Sequence, residues 1–121
     1  SKVVILGLTF KENCPDTRNS KVDDIIKRLN EYEITPVVVD PWASQRDAMH
    51  EYGVTLTDLK DVKDADCVIV AVAHNEFKAL SLEDIKKLYI NCDDSEKVLI
   101  DVKGLYNVKE LKASNLKYWR L

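Results

Sequence analysis

Short runs of β-branched residues alternate along this chain with stretches in which apolar residues recur every three or four positions. Val3-Val4-Ile5-Leu6 is the first run, ended by Gly7; an unbroken apolar run of this length suits a strand covered on both faces. Beyond a polar loop, Val22, Ile25, Ile26 and Leu29 fall at i, i+3, i+4 and i+7, one stripe of an amphipathic helix. Ser20, with Asp23 three residues on, makes a capping-box-like start for it. Pro36 opens a second strand, Val37-Val38-Val39, which closes at Asp40-Pro41. Ser44 caps a second helix carrying Ala48, Met49 and Tyr52, and Gly53 ends it. Val54-Thr55-Leu56 reads as a weaker strand, followed by a helical turn through Leu59 and Val62. The most apolar stretch runs from Cys67 to Ala73 and predicts a central strand that includes residues 68–72. Ser81, again with an aspartate three residues on, starts a helix through Leu82, Ile85 and Leu88. Val98-Leu99-Ile100-Asp101 is the next strand, and Leu116-Lys117-Tyr118-Trp119 adds an edge strand.

Strands that alternate with helices over short connections imply an α/β fold: a three-layer α/β/α sandwich with a Rossmann-like, mostly parallel sheet. Ligands of such sheets bind in the crevice beyond the carboxyl ends of the strands. Four loops follow strands and are the ones to inspect: residues 8–19, 40–44, 74–79 and 101–106.

Length and composition narrow the function. A chain of 121 residues, 45% of them hydrophobic, fits one compact domain with a real core. Its 18 basic and 21 acidic residues are interleaved, so no block of like charge suggests a nucleic-acid or membrane patch. Any bound anion must be held by a few placed side chains. No apolar run approaches the roughly 20 residues that cross a bilayer. Three cysteines, Cys14, Cys67 and Cys92, have no metal-ligand spacing, and Cys67 reads as core. These features point to a reduced, cytoplasmic protein. The abrupt start at Ser1-Lys2, directly before an apolar run, suits a domain taken from a longer protein.

The first loop holds the candidate chemistry. It has one glycine, Gly7, so it is neither a GxGxxG dinucleotide fingerprint nor a phosphate-binding P-loop. It sets Phe10 beside Lys11 at the mouth of a strand. A lysine holds phosphate as a point charge, and a base or ribose lies against an aromatic face; the plainer reading is a core Phe10 and a solvated Lys11. Asp16 and Arg18 read as an ion pair or loop brace near a helix start, where the dipole favours an acid. Cys14, beside Lys11, has no histidine near it in sequence and is not read as a nucleophile. His74, at a strand end, either braces its loop or touches ligand.

The string from Gly7 to Ser20, GLTFKENCPDTRNS, closely resembles the start of the UDP-binding C-terminal domain of the UDP-glucose/GDP-mannose dehydrogenase family. The family's glycine, Phe-Lys pair and Asp-x-Arg are present as Gly7, Phe10, Lys11, Asp16 and Arg18. Asp40-Pro41 resembles its strand-ending turn, and Asp101-Val102-Lys103-Gly104 its late Asp-x-Arg/Lys-Gly segment. The likeness runs in order along essentially the whole chain. Within the family, LTFKENCPD and AVAHNEF look most like the dehydrogenases of UDP-N-acetylhexosamines, which serve bacterial capsule, Vi-type and O-antigen polysaccharides.

The resemblance implies a single domain over residues 1–121 that binds a UDP-sugar, cut from an NAD-dependent UDP-sugar 6-dehydrogenase. Phe10, Lys11 and Lys103 would line the substrate site, with Arg18 and His74 standing behind those contacts. Lys103 departs from relatives with arginine there, giving a point charge without a bidentate fork. No catalytic residue or metal set maps onto this chain. The nucleophilic cysteine and the NAD fingerprint belong to missing domains, so this fragment alone is expected to be inactive and cofactor-free. The N-terminal and central domains of the same chain would be its partners, in an enzyme expected to be a homo-oligomer.

Two other classes compete. A receiver-like signalling domain shares the α/β alternation but needs an acidic pair after the first strand, where this chain has Gly7-Leu8-Thr9-Phe10. A free-standing nucleotide-binding or regulatory module without catalysis has the same pattern as the excised domain.

Overall fold

The structure, a computed structural model, describes residues 2–9 and 22–120. Phe10, Lys11, Cys14, Asp16, Arg18 and the expected cap Ser20 lie outside the described residues. Five strands form one sheet: β1 (Val3–Leu6), β2 (Val37–Val39), β3 (Cys67–Val70), β4 (Val98–Asp101) and β5 (Lys117–Arg120), in the order β2-β1-β3-β4-β5. Every pairing is parallel, Ile5 lying opposite Val38 and Ile69, and Asp101 opposite Val70 and Arg120. The chain thus goes outward from β1 to β2, then crosses back to β3 on the other side. That reversal puts a crevice between β1 and β3 at their carboxyl ends, the usual ligand position in doubly wound sheets.

Alternation along the strands decides what packs on each face. Val4, Leu6, Val68, Val70 and Leu99 point to one side, into a cluster with Phe77, Ile85, Tyr106 and Leu111. These come from α3 (Asn75–Lys78), α4 (Leu82–Lys86), α5 (Val108–Ser114) and the turn after β4. Val3, Ile5, Val38 and Ile69 point the other way, onto Val22, Ile26 and Ala48 of α1 (Val22–Glu31) and α2 (Gln45–Tyr52). Two apolar layers around one sheet make the α/β/α sandwich.

The helices start where short polar side chains can accept their free amides. Ser44 Oγ accepts from the Asp47 amide at 3.0 Å. Ser81 and Asp84 form a full capping box, the Asp84 amide donating to Ser81 Oγ at 3.2 Å and the Ser81 amide to Asp84 Oδ2 at 3.0 Å. Asn107 Oδ1 accepts from the Glu110 amide at 2.7 Å to start α5.

Several expectations need correction. Residues 54–56 do not form a strand; one parallel bridge, Val38 to Leu56, is all that pairs there, because α2 delivers the chain to the sheet edge and the next residues turn away into a 3-10 turn, Leu59–Asp61. The central strand stops at Val70. Ala71 and Val72 are buried beyond it, their amides both donating to Leu6 O. Met49 is 49% exposed rather than part of the helix's apolar face. Leu88 packs in the core just after α4 ends. The edge strand begins one residue late, at Lys117. Two short helices, α3 and α5, occupy stretches where no helix is expected.

Candidate functional site

Two strand-end aspartates shape the carboxyl edge of the sheet. Asp40, just past β2, is 5% exposed and works with both oxygens. Its Oδ2 accepts from the amides of Leu8 at 2.6 Å and Thr9 at 3.0 Å, and lies 3.0 Å from His74 Nε2. Its Oδ1 accepts from the amides of Trp42 at 2.7 Å and Ala43 at 3.1 Å. One carboxylate thereby ties together the root of the first loop, the turn after β2 and the segment after β3. His74 Nε2 also lies 3.0 Å from Thr9 Oγ1. Trp42 stacks on the His74 ring at 6.1 Å between centroids, and its indole N–H donates to Glu76 at 2.9 Å.

Burial disfavours the charged form of Asp40, yet its bonds to His74, Leu8 and Thr9 outweigh it and hold the carboxyl below its ordinary value. The cluster is therefore a satisfied anionic knot. The Leu8 and Thr9 amides that a dinucleotide pyrophosphate would need after β1 already point at a carboxylate. The described residues here do not fit an NAD site of the Gly-rich kind.

Asp101, the last residue of β4, is fully buried and holds the turn after that strand. Its Oδ1 accepts from the Leu105 amide and its Oδ2 from the Tyr106 amide, both at 2.9 Å. The turn so pinned carries Lys103, which is exposed, and Gly104, which takes a left-handed φ of 67°. The Tyr106 hydroxyl reaches back to Leu80 O at 2.9 Å and locks the turn onto α4's approach.

Of the expected site residues, Lys103 is exposed at the carboxyl edge, whereas His74 is wholly buried in the Asp40 knot. His74 therefore braces loops, whatever else it does. Phe10, Lys11 and Arg18 lie outside the described residues. Sequence reading missed Asp40, Thr9 and Asp101 as braces. An aspartate closing a strand before a turn is the one local signal that points to them.

Among the described residues, the surface includes two sizeable clefts. One of about 710 Å³ lies between Leu80, Leu82, Leu105 and Tyr106, with Glu83 and Glu110 on its walls. The other, of about 440 Å³, is bordered by Asp40, Asp58, Glu76 and Phe77. The first cleft also carries Lys78, whereas acidic side chains line the second with no cation among the described residues. The half-buried Cys67 thiol is pushed up to about 11 by burial and by Asp66, which makes it a poor nucleophile. Among the described residues, no cluster of three or more His, Cys, Asp or Glu side chains is placed to hold a metal ion. None of the helices so described is long and apolar enough to cross a membrane.

This architecture and sequence have known counterparts. A UDP-N-acetyl-D-glucosamine 6-dehydrogenase of Pseudomonas aeruginosa is 50% identical over 105 residues, a match covering 87% of this chain and 24% of that protein. Protein CapL of Staphylococcus aureus is 42% identical over 119 residues, covering 98% of this chain and 27% of its own. The chain thus spans about a quarter of the length of these relatives. In fold, it superposes on an NDP-N-acetyl-D-galactosaminuronic acid dehydrogenase from Methanosarcina mazei with a TM-score of 0.83 at 23% identity, over 99% of this chain and 24% of that one. The family pattern described as UDP-glucose/GDP-mannose dehydrogenase family, UDP binding domain, matches residues 4–108, and the chain belongs to that family.

Proposed function

We propose that this chain is the nucleotide-holding part of an NAD-dependent UDP-sugar 6-dehydrogenase, with a UDP-N-acetylhexosamine as the substrate class. The observation that carries this reading is Lys103, an exposed cation on a turn pinned by a buried aspartate at the carboxyl edge of a parallel sheet. Lys11 supplies the second cation from the loop after β1, and Phe10 lines the site. The phosphates of UDP would be met by these two ammonium groups at the carboxyl edge of the sheet. Arg18 and His74 support the loops behind these contacts.

In the whole protein, the sugar's primary alcohol is oxidised to a carboxylate in two steps, through a thioester on a cysteine outside this chain. Other domains would hold NAD, two molecules of which would supply the acceptors for the two hydrides, and one water would release the carboxylate from the thioester. This domain's contribution is to bind the nucleotide handle, so that binding energy far from the reacting carbon positions it. The N-terminal and central domains complete the cleft, the assembled enzyme is a homo-oligomer of the cytoplasm, and its uronic-acid product suits the building of charged polysaccharides.

Titrating UDP into isotope-labelled protein and following backbone amide shifts tests this reading. The shifts are expected to gather at Leu8, Thr9 and residues 102–106. Lys11→Ala and Lys103→Ala are each expected to weaken binding by about 1–3 kcal/mol, the range for a hydrogen bond to a charged group. Lys27→Ala, whose ammonium pairs with Asp23 at 2.9 Å on the outer face of α1, is expected to bind like the parent. Shifts that gather elsewhere, or full affinity in both lysine variants, would overturn the assignment.

A further inference from the structure

The turn that carries Lys103 is held from two sides, and only one of them is the Asp101 carboxylate. On β5, Tyr118 packs against the same apolar cluster as Tyr106, so strand alternation sends Arg120 to that face as well. Arg120 pairs in register with Asp101 on the neighbouring strand. Its Nε–H donates to Tyr106 O at 3.1 Å, while Asp101 takes the amide of that same Tyr106. The guanidinium lies against Gly104: a β-carbon there would stand 3.0 Å from an Arg120 terminal nitrogen and 3.4 Å from Cζ. Its plane therefore occupies the space that a side chain at residue 104 would need. Among the described residues, no carboxylate pairs with Arg120.

We propose that Arg120 is a positioning residue for Lys103, clamping the turn of residues 102–106 against β5 so that the Lys103 ammonium is presented to the phosphates of a nucleoside diphosphate. This rests on the nucleotide-binding reading above and adds a residue to it. The clamp uses two properties of arginine at once, a fixed Nε–H donor and a flat face that fits over a glycine. Lysine has neither, so charge alone does not replace it.

The test compares parent, Arg120→Lys, Arg120→Gln, Lys103→Ala and the Arg120→Gln/Lys103→Ala double variant. First, without ligand, amide shifts and backbone order are measured by NMR. Both Arg120 variants are expected to shift and loosen residues 102–106 while leaving the amides of Leu8, Thr9 and α1 in place. Second, UDP and uridine are titrated into each. Arg120→Lys and Arg120→Gln are expected to lose UDP affinity roughly fivefold, the scale of one weakened charge-assisted contact, with uridine unaffected. In the Lys103→Ala background, Arg120→Gln is expected to add nothing, because it acts through that lysine. An unaltered turn in Arg120→Gln overturns the clamp, as do full rescue by lysine and losses that multiply in the double variant. A parent protein that binds no UDP overturns the nucleotide reading instead, and the ligand-free comparison still decides whether Arg120 holds the turn.

Discussion

The Asp40 and Asp101 corners use the same device, a buried aspartate at a strand end, toward different results. Asp40 is closed on all sides: four backbone amides and an imidazole nitrogen share its two oxygens. Asp101 holds two amides of a single turn, and that turn leaves Lys103 exposed. The first corner joins segments far apart in sequence and offers little to a ligand. The second shapes one local turn whose cation points outward. The closed knot thus sits at the end of β2 and the exposed charge at the end of β4.

The largest expected effect tests that division directly. Asp40→Ala takes the carboxylate away from the buried Leu8 and Thr9 amides and removes one of the partners of His74. We expect it to cost about 3–5 kcal/mol, since several buried groups lose an ionised hydrogen-bond partner at about 1–3 kcal/mol each, a large share of a typical stability of roughly 5–15 kcal/mol. Asp101→Ala strands two amides and is expected to cost about 1–3 kcal/mol. Urea unfolding of both variants measures the gap, with Asp40→Asn as the milder substitution if Asp40→Ala does not fold. Equal costs at the two corners would mean that Asp40 is no more of a keystone than Asp101.

Acid sharpens the comparison. Burial opposes ionisation of Asp40, but its His74 and amide bonds set its pKa below the ordinary carboxylate value. A carboxylate depressed on folding adds stability above its unfolded pKa and loses it as pH falls through the folded one. The urea midpoint should therefore begin to drop in the usual carboxylate range and go on dropping below it. Asp84 is depressed by its Ser81 hydrogen bonds and Asp94 by those from Lys97 and Lys86, so they share the acid loss. Asp40→Asn is expected to be less stable at neutral pH and to show a shallower acid limb. An acid limb identical to the parent's would show that the Asp40 knot does not titrate with folding.

These corners also show where sequence stops being informative. β1 to β4 are legible because each is a run of apolar, mostly β-branched residues between turn formers, and Ser44, Ser81 and Gly53 mark helix ends by their own chemistry. Helix α5 was not legible: Val108 is 41% exposed and only Leu111 and Ser114 are buried along it, so no apolar stripe announces it. The Asp40 knot joins residues 8, 9, 40 and 74, and no local pattern connects positions so far apart. The resemblance pointed to Lys103, yet nothing in sequence pairs Tyr106 with Arg120 across two strands. That contact exists only once β4 and β5 are set in register.

The smallest expected effect isolates that contact. Gly104 and Gly53 have nearly the same backbone, φ 67° and 66°, so alanine at either is expected to add a similar left-handed strain of about 1 kcal/mol. Their surroundings differ: a β-carbon at Gly53 meets nothing within 4 Å, whereas at Gly104 it presses on the Arg120 guanidinium. That group is the far end of a flexible side chain and can swing away, at the cost of its hydrogen bond to Tyr106 O. Gly104→Ala should therefore be less stable than Gly53→Ala by about 0.5–1.5 kcal/mol in urea unfolding, the range for one hydrogen bond. They should also part in local structure, with only Gly104→Ala releasing Arg120 from Tyr106 O and shifting the Lys103 and Tyr106 amides. If Gly104→Ala leaves those amides where they are, the guanidinium does not hold the turn, and Asp101 and the Tyr106 hydroxyl place the exposed cation at the β4 corner without it.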